Sequence, residues 1–203
     1  MNTTSVVRVG SGRGFVVEHG HDRLVVTAAH CLPHLPPCYS FSALEERTYQ
    51  NLLRPLGGHP SVWAECLFAD PIGDIAILGA PDGQELYDQS RAYEELVQGG
   101  TPMAIAEASS DGPGWLLSIE CEWFRCGVRR HQNGPLWVYD ATVNIVGGMS
   151  GSPIIDDAGS AIGVMCTSAR KGEAEVSIER GPNPSLTYNL PAWFFAPSSR
   201  PSK

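Results

Sequence analysis

Three widely spaced residues have the types and the settings that nucleophilic catalysis needs. Ser150 lies in the glycine-rich stretch GGMSGSP at residues 147–153, where a tight turn can expose its hydroxyl. His30 follows the apolar run LVVTAA, and Asp74 directly precedes the apolar run IAIL. A serine hydroxyl becomes a strong nucleophile when a base removes its proton and a third group orients that base. The three residues therefore predict a nucleophile, a general base and an orienting carboxylate.

Each of these residues, taken alone, also has a structural explanation. Glycine-rich turns join strands in many folds, and a histidine after an apolar strand is usually structural. Asp74 could cap a strand end, and Asp70 is a rival carboxylate a few positions earlier. Chain order separates the hydrolase classes, because an α/β-hydrolase needs a histidine after its serine and none follows Ser150. The order His, Asp, Ser is instead that of the chymotrypsin-like arrangement.

Three segments carry a resemblance to the chymotrypsin/trypsin-like serine proteases. The segments are TAAHC at 27–31, DIAIL at 74–78 and GMSGSP at 148–153, which resemble the family's histidine, aspartate and serine motifs. The resemblance spans about residues 5 to 192 and is strongest to bacterial members such as glutamyl endopeptidases and the HtrA protease domain. It implies an all-β fold of two six-stranded antiparallel Greek-key β-barrels, with the active site in the cleft between them.

The resemblance also implies a role for each candidate residue. Ser150 would attack the peptide carbonyl and form an acyl-enzyme, His30 would act as general base, and Asp74 would orient the imidazole. The backbone N–H groups of Gly148 and Ser150 would form the oxyanion hole. A side chain at Gly148 would crowd the approaching carbonyl oxygen, which gives this position a physical reason to be glycine.

Substrate specificity is predicted from the positions that match the family's primary pocket and its substrate-binding strand. The predicted substrate-binding residues are Asn144, Ile145, Cys166, Thr167 and Ser168. Trypsin-type enzymes carry an aspartate at the pocket floor, where this chain has Asn144. Glutamyl endopeptidases use a histidine on the strand, where this chain has the sequence MCT at 165–167. An uncharged residue before the cleaved bond is therefore expected.

Length and composition fit an all-β chain with many turns. The chain has 203 residues, of which 42% are hydrophobic, 22 are glycine and 16 are proline. The expected organisation is an N-terminal barrel over 1–80 with the histidine and aspartate, an inter-barrel linker over 81–100, a C-terminal barrel over 101–195 with the serine, and a disordered tail over 196–203. The expected local elements are a loop over the proline-containing residues 32–60, a short helix within 81–100, and strands at 115–129, 135–143, 173–178 and 185–191.

Charge and the termini limit the classes of partner. A net charge of −8 and a pI near 5.2 disfavour nucleic acid as a partner, since binding to nucleic acid calls for a basic face. No apolar stretch approaches the roughly 18 to 20 residues of a membrane span, so no membrane association is expected. The first residues have no secretory signal pattern, which predicts a cytoplasmic protein. The expected partners are a protein or peptide substrate and, for control of activity, a regulatory protein.

The six cysteines are predicted to be thiols, because no secretory signal is present. Cys31, His34, Cys38 and Cys66 include the side chains that could bind zinc. Their spacings match no usual zinc pattern, so no metal and no cofactor are expected. Two alternatives to the endopeptidase remain: a non-catalytic peptide-binding module on the same fold, and an esterase that uses the same triad.

Overall fold

The computed structural model describes residues 3–37, 46–132, 134–167 and 179–196. The strands of a first sheet are β1 Val6–Val9, β2 Gly12–His19, β3 Asp22–Thr27, β4 Thr48–Pro55, β5 Val62–Asp70 and β6 Ile75–Gly79. The strands of a second sheet are β7 Asp111–Leu117, β8 Trp123–Arg130, β9 Leu136–Tyr139, β10 Pro153–Ile155, β11 Ala161–Val164 and β12 Arg180–Asn183. Helix α1 (Tyr87–Gln98) lies between the two sheets in sequence, and the short helices α2 (Leu186–Asn189) and α3 (Ala192–Phe195) follow β12.

The first sheet is a closed six-stranded antiparallel barrel in the order β1-β2-β3-β6-β5-β4. It closes because β1 pairs with β2 on one side and with β4 on the other. The interior is filled by apolar side chains with no exposed surface, among them Val9, Phe15, Val25, Leu53 and Ile77. Closure removes sheet edges, so a rigid frame surrounds the ends of β3 and β6 that carry the histidine and aspartate motifs.

The second sheet has the strand order β11-β10-β7-β8-β9-β12 and curls towards closure. An antiparallel bridge between Gly163 and Ser185 joins the β11 edge to the residues that follow β12. The amide of Val164 also donates to the carbonyl oxygen of Pro184 at 3.1 Å. The prediction of an all-β fold with two six-stranded units is confirmed.

Residues 103–106 tie the two sheets together, and helix α1 packs against β3 and β5 of the barrel. Val17 bridges to Met103, and Ile105 bridges to Ala161, so one extended segment touches a strand of each sheet. The helix predicted within 81–100 is confirmed and covers twelve residues. Its Tyr93 is fully buried and donates its hydroxyl to the carbonyl oxygen of Leu78 at 3.0 Å.

Three local predictions were wrong in part. The predicted loop over 32–60 contains β4, which the barrel stabilises by pairing it with both β1 and β5. The predicted strand over 115–129 is two strands, because the chain reverses at Ser118, whose amide donates to the carbonyl oxygen of Glu122 at 2.8 Å. The segment 185–191 contains the helical turn α2 and no strand. The predicted strand at 173–178 and residues 197–203 of the predicted tail lie outside the described residues.

Two further features concern membrane-spanning helices and the state of the cysteines. No helix among the described residues is long and apolar enough to cross a bilayer. The cysteines at positions 31, 66, 121, 126 and 166 are free thiols, and Cys38 lies outside the described residues. Burial raises the pKa of Cys31 and of Cys66 to about 11, so both thiols stay protonated near neutral pH.

Candidate active site

His30 and Asp74 form the best-defined polar contact of the candidate site. His30 lies in the helical turn Ala29–Cys31 just after β3, and Asp74 lies just before β6. Oδ2 of Asp74 lies 2.6 Å from Nδ1 of the imidazole, and its Oδ1 accepts a hydrogen bond from the backbone N–H of His30 at 2.9 Å. Two contacts to one carboxylate fix both the position and the ring orientation of the histidine, and neither of them uses Nε2.

The backbone at Asp74 is in a conformation that few residues adopt. Its φ is +54°, in the left-handed region that aspartate tolerates better than most non-glycine residues. The carbonyl oxygen of Asp74 accepts a hydrogen bond from the Cys166 thiol at 3.2 Å. The aspartate is therefore held from two sides, by His30 after β3 of the barrel and by Cys166 after β11 of the second sheet.

The contact between the two residues shifts the pKa of each. The hydrogen bond to Asp74 raises the pKa of His30, and this effect outweighs partial burial, which would lower it. Burial alone would raise the pKa of Asp74, but the hydrogen bonds from the His30 side chain and backbone outweigh it and lower the pKa. The carboxylate is thus ionised near neutral pH, and the imidazole is a stronger base than an ordinary histidine.

The loop that carries Ser150 is attached to strand β2. The carbonyl oxygen of Ser150 accepts a hydrogen bond from the amide of Arg13 at 2.8 Å. A Cβ on Gly12 would clash with Cys31 Sγ and would lie 2.6 Å from the same Ser150 oxygen. The backbone of Ser150 and the side chain of Cys31, the residue after His30, therefore both pack against Gly12. In the described part of the chain, no hydrogen bond joins the Ser150 hydroxyl to the imidazole, whose ring contact is with Asp74.

Gly151 is required by the close approach of this loop to the barrel. Its φ is +81°, and its amide donates to the carbonyl oxygen of Met165 at 2.7 Å. A Cβ at this position would clash with the carbonyl oxygen of Arg13 and lie 2.6 Å from Thr27 Oγ1. The conformation and the lack of space both exclude a side chain, so the sequence GMSGSP can pack here only with glycine at 151.

The amides of the serine loop divide into two groups. The amides of Met149 and Ser152 donate within the loop, at 3.3 and 3.0 Å, and that of Gly151 donates to Met165. The amides of Gly148 and Ser150 donate to no acceptor among the described residues. Gly148 has a φ of +90°, which again favours glycine. Two nearby N–H groups without a protein partner are what an oxyanion hole requires.

The predicted substrate-binding residues have different surroundings. Asn144 is exposed, whereas Ile145 is buried in the core of the second sheet and cannot offer its side chain to a substrate. Cys166 and Thr167 follow β11, and their amides donate to Oδ1 of Asn183 at 2.9 and 3.2 Å. Ser168 lies outside the described residues.

Two residues of the site were missed by sequence reasoning. Asn183 is fully buried at the end of β12. Its side-chain oxygen accepts the hydrogen bonds from the amides of residues 166 and 167 that a neighbouring strand would otherwise accept. Arg13 is fully buried beneath the serine loop, and it lies between Gly12 and Gly14 in the sequence. No three His, Cys, Asp or Glu side chains group as a metal site within residues 3–37, 46–132, 134–167 and 179–196.

The sequence matches the model of one known protein family over most of its length. The family model described as a trypsin-like peptidase domain matches residues 12–164 of the 203. The match includes all three motif residues, His30, Asp74 and Ser150. No curated protein sequence matches the chain.

Solved structures show the same fold at low sequence identity. A crystal structure of the Rv3671c protease in an inactive form has a TM-score of 0.54 at 19% identity and covers 92% of this chain and 85% of its own. A structure from work on the coupled folding and binding of the Sesbania mosaic virus VPg protein has a TM-score of 0.58 at 18% identity, with 97% and 92% covered. The HtrA-type protease AlgW with a decapeptide has a TM-score of 0.51 at 15% identity, with 87% and 48% covered. Identities this low show the fold alone.

Proposed function

The chain belongs to the trypsin-like peptidase family, and on this premise we propose that it is a serine endopeptidase that acts through Ser150, His30 and Asp74. The observation that carries the proposal is the pairing of the His30 imidazole with Asp74 at 2.6 Å, beside a loop in which two amides donate to no acceptor among the described residues. In this proposal His30 is the base, Asp74 the orienting carboxylate and Ser150 the nucleophile, and the two amides bind the developing negative charge; these are the components of acyl transfer.

In the proposed mechanism, the Nδ1–H group of His30 donates a hydrogen bond to Asp74 Oδ2, and the proton stays on Nδ1, so the lone pair on Nε2 can act as base. The Ser150 hydroxyl oxygen attacks the peptide carbonyl carbon while its proton moves to Nε2. The amides of Gly148 and Ser150 donate to the oxygen that becomes negative, and one such donor is worth about 3 kcal/mol of the barrier. The C–N bond then breaks as Nε2 returns the proton to the leaving amine, and water releases the acyl group by the same steps.

The pH dependence of the reaction is expected to follow His30. A protonated imidazole cannot accept the serine proton, and the hydrogen bond to Asp74 raises the pKa of His30. The rate of reaction with a fluorophosphonate probe should therefore rise with pH through a midpoint above about 6.5, the ordinary histidine value. Rates measured between about pH 5 and 9 test this. A flat profile or a lower midpoint would contradict the assignment of His30 as base.

Fluorophosphonate labelling also separates the proposal from its two alternatives. The folded protein should take up one probe molecule, and the Ser150→Ala variant should take up none. A peptide-binding module on the same fold would leave both proteins unlabelled. An esterase would be labelled but would hydrolyse small esters without cleaving peptides, so turnover of both substrate classes is measured on the same preparation.

We propose an uncharged residue of small to medium size before the cleaved bond. Asn144, where trypsin-type enzymes place an aspartate, is exposed and carries no charge, and no histidine is present at 165–167. A peptide library cleaved by the protein should show neutral residues at this position. A profile dominated by Arg, Lys or Glu would overturn the specificity proposal and leave the endopeptidase proposal standing.

A further inference from the structure

Arg13 is a charged residue buried where the proposed mechanism does not use it. Its side chain has no exposed surface, and its guanidinium donates to the carbonyl oxygens of Leu117 and Ile119, each at 3.0 Å. No carboxylate pairs with it in the described part of the chain. Burial lowers the pKa of Arg13, but an arginine remains charged in proteins. A cation buried against backbone carbonyls is costly unless these contacts serve the structure around it.

The backbone of the same residue holds the serine loop. The amide of Arg13 donates to the carbonyl oxygen of Ser150 at 2.8 Å. Its own carbonyl oxygen accepts a hydrogen bond from Thr27 Oγ1 at 2.6 Å, which fixes this part of β2 to the end of β3. Arg13 thus contacts the serine loop through its backbone and the β7–β8 turn through its side chain.

Ile119, in the turn between β7 and β8, contacts the proposed oxyanion hole. The Cδ1 atom of Ile119 lies 3.0 Å from the position that a Cβ on Gly148 would occupy. The Ile119 side chain therefore packs directly against the glycine whose amide is one of the two proposed oxyanion donors. The guanidinium of Arg13 holds the carbonyl group of this same isoleucine.

We propose that Arg13 is a positioning residue that aligns the two amides of the oxyanion hole. Its backbone amide fixes the position of Ser150 through the hydrogen bond to the Ser150 carbonyl oxygen. Its side chain fixes the position of Ile119, and the Ile119 side chain limits where Gly148 can lie. The inference rests on the proposed serine endopeptidase function. Alignment matters because a donor that moves by about 1 Å can cost about 100-fold in rate.

The test compares Arg13→Met with Arg23→Met by the saturation kinetics of fluorophosphonate labelling. Arg23 is a matched control, because its Nη1 also donates to two backbone carbonyls, of Val97 and Gly100 at 2.9 and 2.7 Å, but these lie at the end of α1. Arg13→Met should lower the maximal labelling rate by about 100-fold and leave the half-saturating probe concentration within about threefold. Arg23→Met should change both values by less than about threefold. Arg13→Lys, which can restore one carbonyl contact, should recover part of the rate.

Thermal unfolding of each variant separates a misaligned site from a misfolded protein. If Arg13→Met does not fold, Ile119→Ala replaces it in the test, because it keeps the Arg13 contacts and removes only the side chain against Gly148. Ile119→Ala should label about tenfold more slowly. A folded Arg13→Met that labels at the unmodified rate, or an Ile119→Ala that does so, overturns the inference. Failure of Ser150 as the proposed nucleophile would look different, since the unmodified protein would not be labelled at all, and an esterase would be labelled but would cleave no peptide.

Discussion

Replacing Ser150 with alanine is expected to lower kcat for peptide hydrolysis by about 10⁵-fold or more. The variant keeps the loop backbone, so the amides of Gly148 and Ser150, which donate to no described acceptor, should still bind the substrate carbonyl. Only the attacking oxygen is lost, and the covalent route is closed. KM should therefore change little, and steady-state hydrolysis of a cleavable peptide from the library measures both values.

Ser152→Ala is the matched control for this variant. Ser152 is two positions along the same loop and is buried, and its hydroxyl has no hydrogen-bond partner in the described part of the chain. Removing an unpaired buried hydroxyl should leave kcat within about threefold and the stability unchanged or slightly higher. Comparable losses in the two variants would indicate damage to the loop and would argue against Ser150 as the nucleophile.

Replacing Asp74 with asparagine is expected to lower kcat by about 10⁴-fold, the magnitude known for trypsin-like triads. In the proposed mechanism, the Asp74 carboxylate accepts a hydrogen bond from the Nδ1–H group of His30, with Nδ1 2.6 Å from Oδ2. This contact favours the tautomer that has its lone pair on Nε2. An amide NH₂ facing Nδ1 stabilises the opposite tautomer, which has no lone pair on Nε2 for the serine proton. The loss of the carboxylate also removes the hydrogen bond that is the main cause of the raised His30 pKa, so the residual activity should rise with pH through a lower midpoint.

Asp70→Asn controls for the loss of a carboxylate in the same turn. Oδ1 of Asp70 accepts a hydrogen bond from the amide of Ile72 at 2.9 Å, a contact that an asparagine side chain can keep. Its kcat should stay within about threefold of the unmodified value. The same pair of variants distinguishes the two carboxylates that sequence reasoning left as rivals. A large loss in Asp70→Asn with little loss in Asp74→Asn would reverse the assignment.

The fold class and the candidate site were predictable where the signal is local. The apolar runs beside His30 and Asp74 are strands in the structure, and they end where the barrel presents both side chains. The glycines around Ser150 were expected from the turn chemistry, and the structure gives Gly148 and Gly151 positive φ. Order along the chain added what spacing alone could not, because it excluded the α/β-hydrolase arrangement.

The remainder depends on contacts between residues far apart in the sequence. Strand β4 lies in a segment with prolines and weak alternation, and its pairing with β1 and β5 overrides that local signal. The guanidinium of Arg13 bonds to carbonyls more than 100 positions away, and Asn183 holds amides 16 and 17 positions away. A residue whose role is to form hydrogen bonds with backbone groups far away in the sequence leaves no pattern in the residues beside it.

A crystal structure of the fluorophosphonate-treated protein tests the central proposal most directly. Phosphorus should be bonded to Ser150 Oγ, with the phosphonyl oxygen about 3 Å from the amide nitrogens of Gly148 and Ser150. The imidazole of His30 should keep its contact with Asp74 and place Nε2 within hydrogen-bond distance of the adduct. An adduct on another residue, or an adduct on Ser150 with the imidazole remote from it, would contradict the assignment of these residues as one catalytic site.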